Sequence, residues 1–476
     1  MGVWSLALAL LTFLACSLAD AATPPSRPNI ILVMTDDQGY GDLGCTGNPI
    51  LKTPRIDSFA KESVRFSNFH VSPTCAPTRC ALLSGRHEFY SGVTHTIMER
   101  ERMGLKSPTV AQALKSAGYA TAIFGKWHLG DEPSYQPGRR GFDEVFIHGA
   151  GGIGQTYPGS CGDAPGNTYF NPAILHNGKF EKTSGFCTDV FFAQALKWID
   201  RQRKQPNPFF VYLTPNAPHA PLSCPKEYLA PYAGLTNTNA ATFFGMIANI
   251  DQDFGRLLTR LDEWGLSRNT LVIFMTDNGG TAGVKIFNAG MHGSKATPYE
   301  GGTRVPAFWR WPAGFQGGTE CKALTAHIDI FPTFVEIAGA RVPGEAKLDG
   351  RSLVPLLKDP SAAWADRVLV THVGRWDKGM ALNSKFRQCS IRNSRYQLVN
   401  NAELFDLQND PGETKNVLVD HPEVVSQLRA AYDQWWQQIL PCLENENVVV
   451  PSVNPFKEMY WKQFGGGPGS KNPNDE

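Results

Sequence analysis

Two seven-residue stretches are apolar almost throughout, Asn29–Thr35 (NIILVMT) and Thr270–Thr276 (TLVIFMT), and residues 208–214 (PFFVYLT) form a third. Runs of this length without polar alternation predict strands covered on both faces, as in a parallel sheet. Around them, apolar positions recur at helical spacing over residues 53–66, 109–117, 189–203 and 241–264, with a shorter strand-like run at 120–124. Strands alternating with helices predict a three-layer α/β domain with a large, mostly parallel sheet over residues 23–340. The pattern then changes. Residues 395–399 (RYQLV) and 403–407 (ELFDL) predict two short antiparallel strands and 422–440 a helix, a small α+β subdomain over 341–464. The last stretch, 465–476, is rich in Gly, Pro and Asn and reads as disordered. At the other end an apolar run from Val3 to Ala15 precedes Ala19-Asp20-Ala21, which reads as a signal peptide over 1–22. That run is shorter than the roughly 20 residues that cross a bilayer, and no later segment is a membrane span.

Composition narrows the partners. A net charge of +1 and 19% charged residues leave no basic stripe for nucleic acid, which points to small molecules or glycans. Ten cysteines are present, and Cys16 lies in the leader, so nine remain. In an oxidising compartment an odd count leaves one unpaired or put to other use, with disulfides expected among the rest.

The polar residues of interest follow the strand runs. Asp36 and Asp37 follow the Asn29–Thr35 run and Asp277-Asn278 follow the Thr270–Thr276 run, just before Gly279-Gly280. Alone, either pair is as much a turn or a helix cap. On matching strand ends, three carboxylates and an amide make an all-oxygen donor set, which suits Ca²⁺ or Mg²⁺ rather than zinc. Lys126, His128, His219 and Lys295 add cations and proton carriers, though a lone lysine or histidine is usually a solvated or core residue. The glycine-rich 141–187 loop is long enough to expect a functional role, and walling the pocket is the expected one.

The window from Cys75 to Arg86, CAPTRCALLSGR, carries more information than any other. As plain cysteines, Cys75 and Cys80 read as disulfide half-cystines. The window also resembles the sulfatase signature C-x-P-[ST]-R followed by [LM]-[ST]-G-[RK]. Further segments resemble the same family in the same order: Gly125-Lys126-Trp127-His128-Leu129-Gly130, the strand-end His219, Lys295 with Tyr299-Glu300-Gly301-Gly302 and Arg304, and Glu403 to Glu413. The resemblance to type I, formylglycine-dependent sulfatases of the arylsulfatase A-like group covers nearly the whole chain after the leader. It implies an alkaline-phosphatase-like α/β/α fold and hydrolysis of a sulfate monoester, an aryl sulfate in vitro and a sulfated carbohydrate in vivo. It implies that Cys75 is oxidised to formylglycine by a formylglycine-generating or anaerobic maturation enzyme, and that its hydrate attacks sulfur to give a covalent sulfate intermediate. Taking Cys75 as converted also restores an even cysteine count. Asp36, Asp37, Asp277 and Asn278 would hold Ca²⁺, and Lys126, His219 and Lys295 the sulfate. Arg79 would fix the geometry, Asp277 would help deprotonate the nucleophile, His219 would protonate the leaving oxygen, and His128 would release the sulfate. The alternatives are a phosphonate monoester or phosphodiester hydrolase of the same superfamily and a non-catalytic glycan-binding protein of this fold. No Asn-x-Ser/Thr sequon is present, which points to a bacterial secreted or periplasmic enzyme rather than a glycosylated lysosomal one.

Overall fold

The three apolar runs lie side by side in the middle of one ten-stranded sheet. The structure is a computed structural model that describes residues 27–468; the leader read at 1–22 and residues 469–476 of the tail lie outside them. Five central strands run parallel, in the order Thr270–Thr276, Asn29–Thr35, Phe209–Thr214, Ala120–Lys126 and Glu144–His148. Antiparallel strands extend them at both sides, Ala307–Arg310 on one and Ala173–His176 with Lys179–Lys182 on the other.

Alternation along the central strand divides the core. Ile30, Leu32 and Met34 pack into a layer shared with the helices Cys75–Ser84, Val110–Ser116 and Ile330–Ala338. Ile31 and Val33 face the helices Pro54–Lys61, Cys187–Gln202 and Thr238–Glu263. Successive side chains point to opposite faces, so a strand buried on both sides must be apolar throughout. Each such aliphatic side chain contributes about 1.5–3 kcal/mol by leaving water.

Two boundaries differ from the sequence reading. The helical pattern over 53–66 resolves into the helix Pro54–Lys61 and the strand Val64–Phe66, because Pro54 opens the helix and the Val-Arg-Phe triplet alternates buried and half-buried as a strand. The short strand runs on to Lys126 through Gly125, whose φ of +117° and whose missing Cβ, which would lie 2.0 Å from the Thr214 carbonyl oxygen, both call for glycine.

The small sheet has four strands where the sequence suggested two: Leu369–His372, Cys389–Arg392, Tyr396–Val399 and Glu403–Asp406, all antiparallel. The helix Pro422–Ile439 covers it with Val425, Leu428, Tyr432, Trp436 and Ile439, a run of three- and four-residue steps that forms one face. A last helix, Pro455–Phe464, returns to the large domain and sets Phe456 edge-on to Phe180. Among the described residues no helix is long and apolar enough to cross a membrane.

The expected disulfides are not found. All nine described cysteines are free, and six of them, including Cys75 and Cys80, are buried. Cys75 and Cys80 stand five residues apart on one helix. Helix geometry separates such Cα atoms by about 8.6 Å, beyond the reach of a disulfide.

Candidate active site

Strand register assembles the acidic residues. Thr35 and Thr276 are paired neighbours on parallel strands, so Asp36-Asp37 and Asp277-Asn278 leave the sheet at one level. The two exits are sewn together: the Asp277 N–H donates to the Thr35 carbonyl (3.0 Å) and the Asp37 N–H donates to Asp277 Oδ1 (3.2 Å). Asp37 adopts φ +64°, a left-handed conformation uncommon outside glycine, which lets both adjacent aspartates contribute to the same place.

Cys75 is the first residue of the helix Cys75–Ser84, and every residue of that helix is buried. Its Sγ lies 3.4 Å from Asp36 Oδ1 and 4.0 Å from Asp37 Oδ1. Burial and the neighbouring Asp36 push the thiol up to about 12, despite Lys126 and Lys295. As a cysteine it stays protonated at neutral pH and is no thiolate nucleophile. One turn further along, Arg79 is fully buried and donates from Nη2 to Asp277 Oδ2 (2.8 Å) and from Nη1 to the Lys126 carbonyl (3.1 Å). A guanidinium in that position is tolerable only because it is paired and hydrogen-bonded.

The lysines complete the charge balance. Lys126 Nζ donates to Asp36 Oδ2 (2.6 Å) and Lys295 Nζ to Asp37 Oδ1 (2.5 Å). Burial would raise the Asp37 carboxyl, but Lys295 and His219 outweigh it and hold that group below the usual carboxylate range. Asp277 moves the other way, to about 6, through burial and the nearby Asp36 against Arg79 and Lys126.

Each histidine has a defined tautomer. His128, at φ +59°, has Nε2 2.7 Å from the Thr96 carbonyl. A carbonyl only accepts, so Nε2 carries the hydrogen and Nδ1, buried without a partner, keeps its lone pair. Burial and Lys126 hold this ring well below the usual imidazole range. His219 donates from Nδ1 to the Ala220 carbonyl (2.6 Å) and turns Nε2 to within 3.7 Å of Asp37 Oδ2. Burial brings it to about 4, with Asp37 opposing and Lys295 assisting.

Ligand atoms of Asp36, Asp37, Cys75 and His219 all lie within 4.8 Å of one another, an arrangement able to hold a metal ion. Asp277 has both oxygens engaged, by Arg79 and by the Asp37 N–H. Asn278 is fully buried; its Nδ2 donates to Asp37 Oδ1 (3.0 Å), while its Oδ1 has no hydrogen-bond partner. A buried amide oxygen with no donor beside a cluster of carboxylates fits a cation.

Asp36, Asp37, Cys75, Arg79, Lys126, His128, His219, Asp277, Asn278 and Lys295 thus lie together, and the 141–187 loop joins them: a Cβ on Gly151 would sit 3.1 Å from His128 and one on Gly152 2.7 Å from His219 Nδ1. Three contributors were missed. Thr96 orients His128 through its carbonyl, which no side-chain code announces. Tyr169 donates its hydroxyl hydrogen to the His219 carbonyl (2.6 Å). His148, paired in register with Lys126 and buried, had a readable signal as the histidine closing an apolar strand.

The sulfatase family profile matches residues 28–340, and a profile described as N-sulphoglucosamine sulphohydrolase, C-terminal, matches 290–438. Mouse (Mus musculus) N-acetylgalactosamine-6-sulfatase is 30% identical over 437 residues, covering 85% of this chain and 80% of that protein. Mouse arylsulfatase J is 29% identical over 388 residues, covering 79% of this chain and 64% of that protein, so the chain spans a little under two thirds of that relative. Among solved structures, Ps i-CgsB in complex with k-i-k-neocarrahexaose superposes with a TM-score of 0.78 at 27% identity, covering 92% of this chain and 97% of the other. On these matches the chain belongs to the sulfatase family of sulfuric ester hydrolases and has that family's alkaline-phosphatase-like fold.

Proposed function

We propose that the protein removes sulfate from a carbohydrate sulfate monoester at this site, with Cys75 converted to formylglycine and Ca²⁺ held by Asp36, Asp37, Asp277 and Asn278. The observation that carries the reading is the position of Cys75, on the first turn of a buried helix with its Sγ 3.4 Å from Asp36 and two lysines on the adjoining carboxylates. When present, the ion would supply positive charge against the sulfate oxygens and the hydrated aldehyde a nucleophilic hydroxyl.

The chain's own residues supply the remaining chemistry. Sulfate ester cleavage moves negative charge onto the departing oxygen, so fixed cations aimed at the sulfate do most of the work. Lys126 and Lys295, which pair with Asp36 and Asp37, are the groups that would bind sulfate oxygens; those two carboxylates would then hold the cation. Arg79 clamps Asp277 to the strand end at Lys126 and keeps the site from relaxing. Asp277, held by Arg79 through Oδ2, is the carboxylate that would help remove the proton of the attacking hydroxyl. His219 Nε2 is the donor to the leaving oxygen. A sulfate anion beside this ring would add its charge to that of Asp37, which opposes the lowering by burial and favours the imidazolium. His128, neutral and with a free lone pair on Nδ1, is the base that completes turnover.

The reading brings with it a maturation partner, a formylglycine-generating or anaerobic enzyme. It also implies an exported location, secreted or periplasmic, or lysosomal in a eukaryotic host. Parallel assays test it: the matured protein should release inorganic sulfate from an aryl sulfate and from members of a panel of sulfated mono- and disaccharides. Preference for an aryl phosphonate would favour a phosphonate hydrolase, and inertness on all of them a glycan-binding protein.

A further inference from the structure

Behind His128 the C-terminal subdomain reaches the residue that holds it. Thr96, whose carbonyl takes the His128 Nε2 hydrogen, accepts at Oγ1 a hydrogen bond from Arg375 Nη2 (3.1 Å). Arg375 lies at the start of the loop joining the strands Leu369–His372 and Cys389–Arg392. That loop bounds a cavity of about 260 Å³ lined by Arg375, Trp376, Asp377, Met380, Asn383 and Arg387, among others.

Two arginines and one carboxylate, that of Asp377, line the cavity. From 375 to 388 the chain carries Arg375, Lys378, Lys385 and Arg387 against the single carboxylate of Asp377. Lys385 pairs with Asp433 (2.7 Å), Lys378 reaches the Val448 carbonyl (3.5 Å), and Asp377 acts on Arg100. Neither Arg375 nor Arg387 forms an ion pair among the described residues, and Arg375 Nε is buried without an acceptor. Arg375, Phe386 and Gln388 hold left-handed backbone, at φ +58°, +59° and +47°. Non-glycine residues in that region are costly and gather where a loop must hold a binding geometry.

We propose that this groove is a second anion subsite, in which Arg375 and Arg387 take a sulfate or carboxylate borne by a sugar residue other than the one losing its sulfate. Guanidinium groups match both oxyanions through paired N–H donors. The contact chain Arg375–Thr96–His128 connects the groove to the reacting centre, and on this proposal one oligosaccharide spans both. The preferred substrate is then a polyanionic glycan, and an aryl sulfate engages only half of the site. The proposal rests on the reading of the adjoining centre as a carbohydrate sulfatase.

The test uses the matured full-length enzyme turning over 4-methylumbelliferyl sulfate. Competing ligands are disaccharides of glucuronate and sulfated N-acetylgalactosamine with one sulfate and the uronate carboxylate, with two sulfates and the uronate carboxyl reduced to an alcohol, or with one sulfate and that carboxyl reduced. Inhibition constants are measured for wild type, Arg387→Gln and Arg387→Lys. In wild type the reduced, monoanionic disaccharide should bind about tenfold more weakly than the best dianionic one, the worth of one charged hydrogen-bonded contact. Arg387→Gln should erase that preference, Arg387→Lys should keep part of it, and added salt should weaken it. Whichever dianionic ligand binds tighter identifies the second group as sulfate or carboxylate. Equal binding of all three by wild type, or an unchanged preference in Arg387→Gln, overturns the subsite while leaving the sulfatase reading intact. Failure to turn over the aryl sulfate counts against that reading and removes the subsite with it.

Discussion

Asn278 contributes two hydrogen bonds from its amide nitrogen, to Asp37 and to the Gly279 carbonyl, and none to its oxygen. Leaving a buried acceptor unsatisfied costs about 1–3 kcal/mol, so an oxygen placed beside these carboxylates suits a bound ligand such as a cation. If that ligand is Ca²⁺, its presence at one hundred times its dissociation constant should stabilise the wild type by about 2.7 kcal/mol, and a chelator should remove that gain. Asn278→Ala should weaken Ca²⁺ binding by about tenfold or more. Calorimetric titration and melting curves with and without Ca²⁺ check both; an unchanged affinity in the variant would argue against Asn278 as a ligand. Single side chains were the most legible part of this protein. Carboxylates, lysines and histidines after apolar runs advertise chemistry in one letter each. Thr96 advertises none, because what it gives His128 is a backbone carbonyl that any residue would carry.

Elements were legible where burial imposes a single pattern, as in the all-apolar central strands. The small sheet was half legible: Leu369–His372 is partly exposed along most of its length, so neither alternation nor an apolar run marks it. One residue of that strand makes the subdomain sensitive to pH. His372 is buried, its Nδ1 accepts from the Gly374 N–H (3.0 Å), its Nε2 donates to the Ser384 carbonyl (3.2 Å), and its ring stacks on Trp436. Burial lowers it to about 4, with the Ser384 carbonyl opposing. The unfolded chain therefore takes up this proton first, between about pH 6.5 and 4, and the stability His372 confers at neutral pH is lost as pH falls through that window. His372→Gln should lower the melting temperature clearly at pH 7.5, with the gap to wild type narrowing by pH 5. A gap that stays constant would mean that His372 does not titrate on unfolding.

At the scale of the molecule, the order of elements was readable but the joints between them were not. The small sheet is bound to the large domain through Arg392, which reaches both His70 and Glu300 beneath the segment bearing Lys295, and through Tyr299, which donates to Glu403 (2.8 Å). These partners lie roughly 90 to 320 residues apart in the chain, and no local pattern encodes such a distance. A separate contact brings Arg375 of the subdomain to Thr96, whose carbonyl holds His128. Everything in this account converges on the side chain at position 75. Trypsin should release residues 66–79 as one peptide, and its mass in the active enzyme is the most direct measurement available. Formylglycine at Cys75 should appear as a loss of about 18 Da from the cysteine form, in proportion to specific sulfatase activity across preparations. An unmodified thiol in a preparation with full turnover would contradict the account.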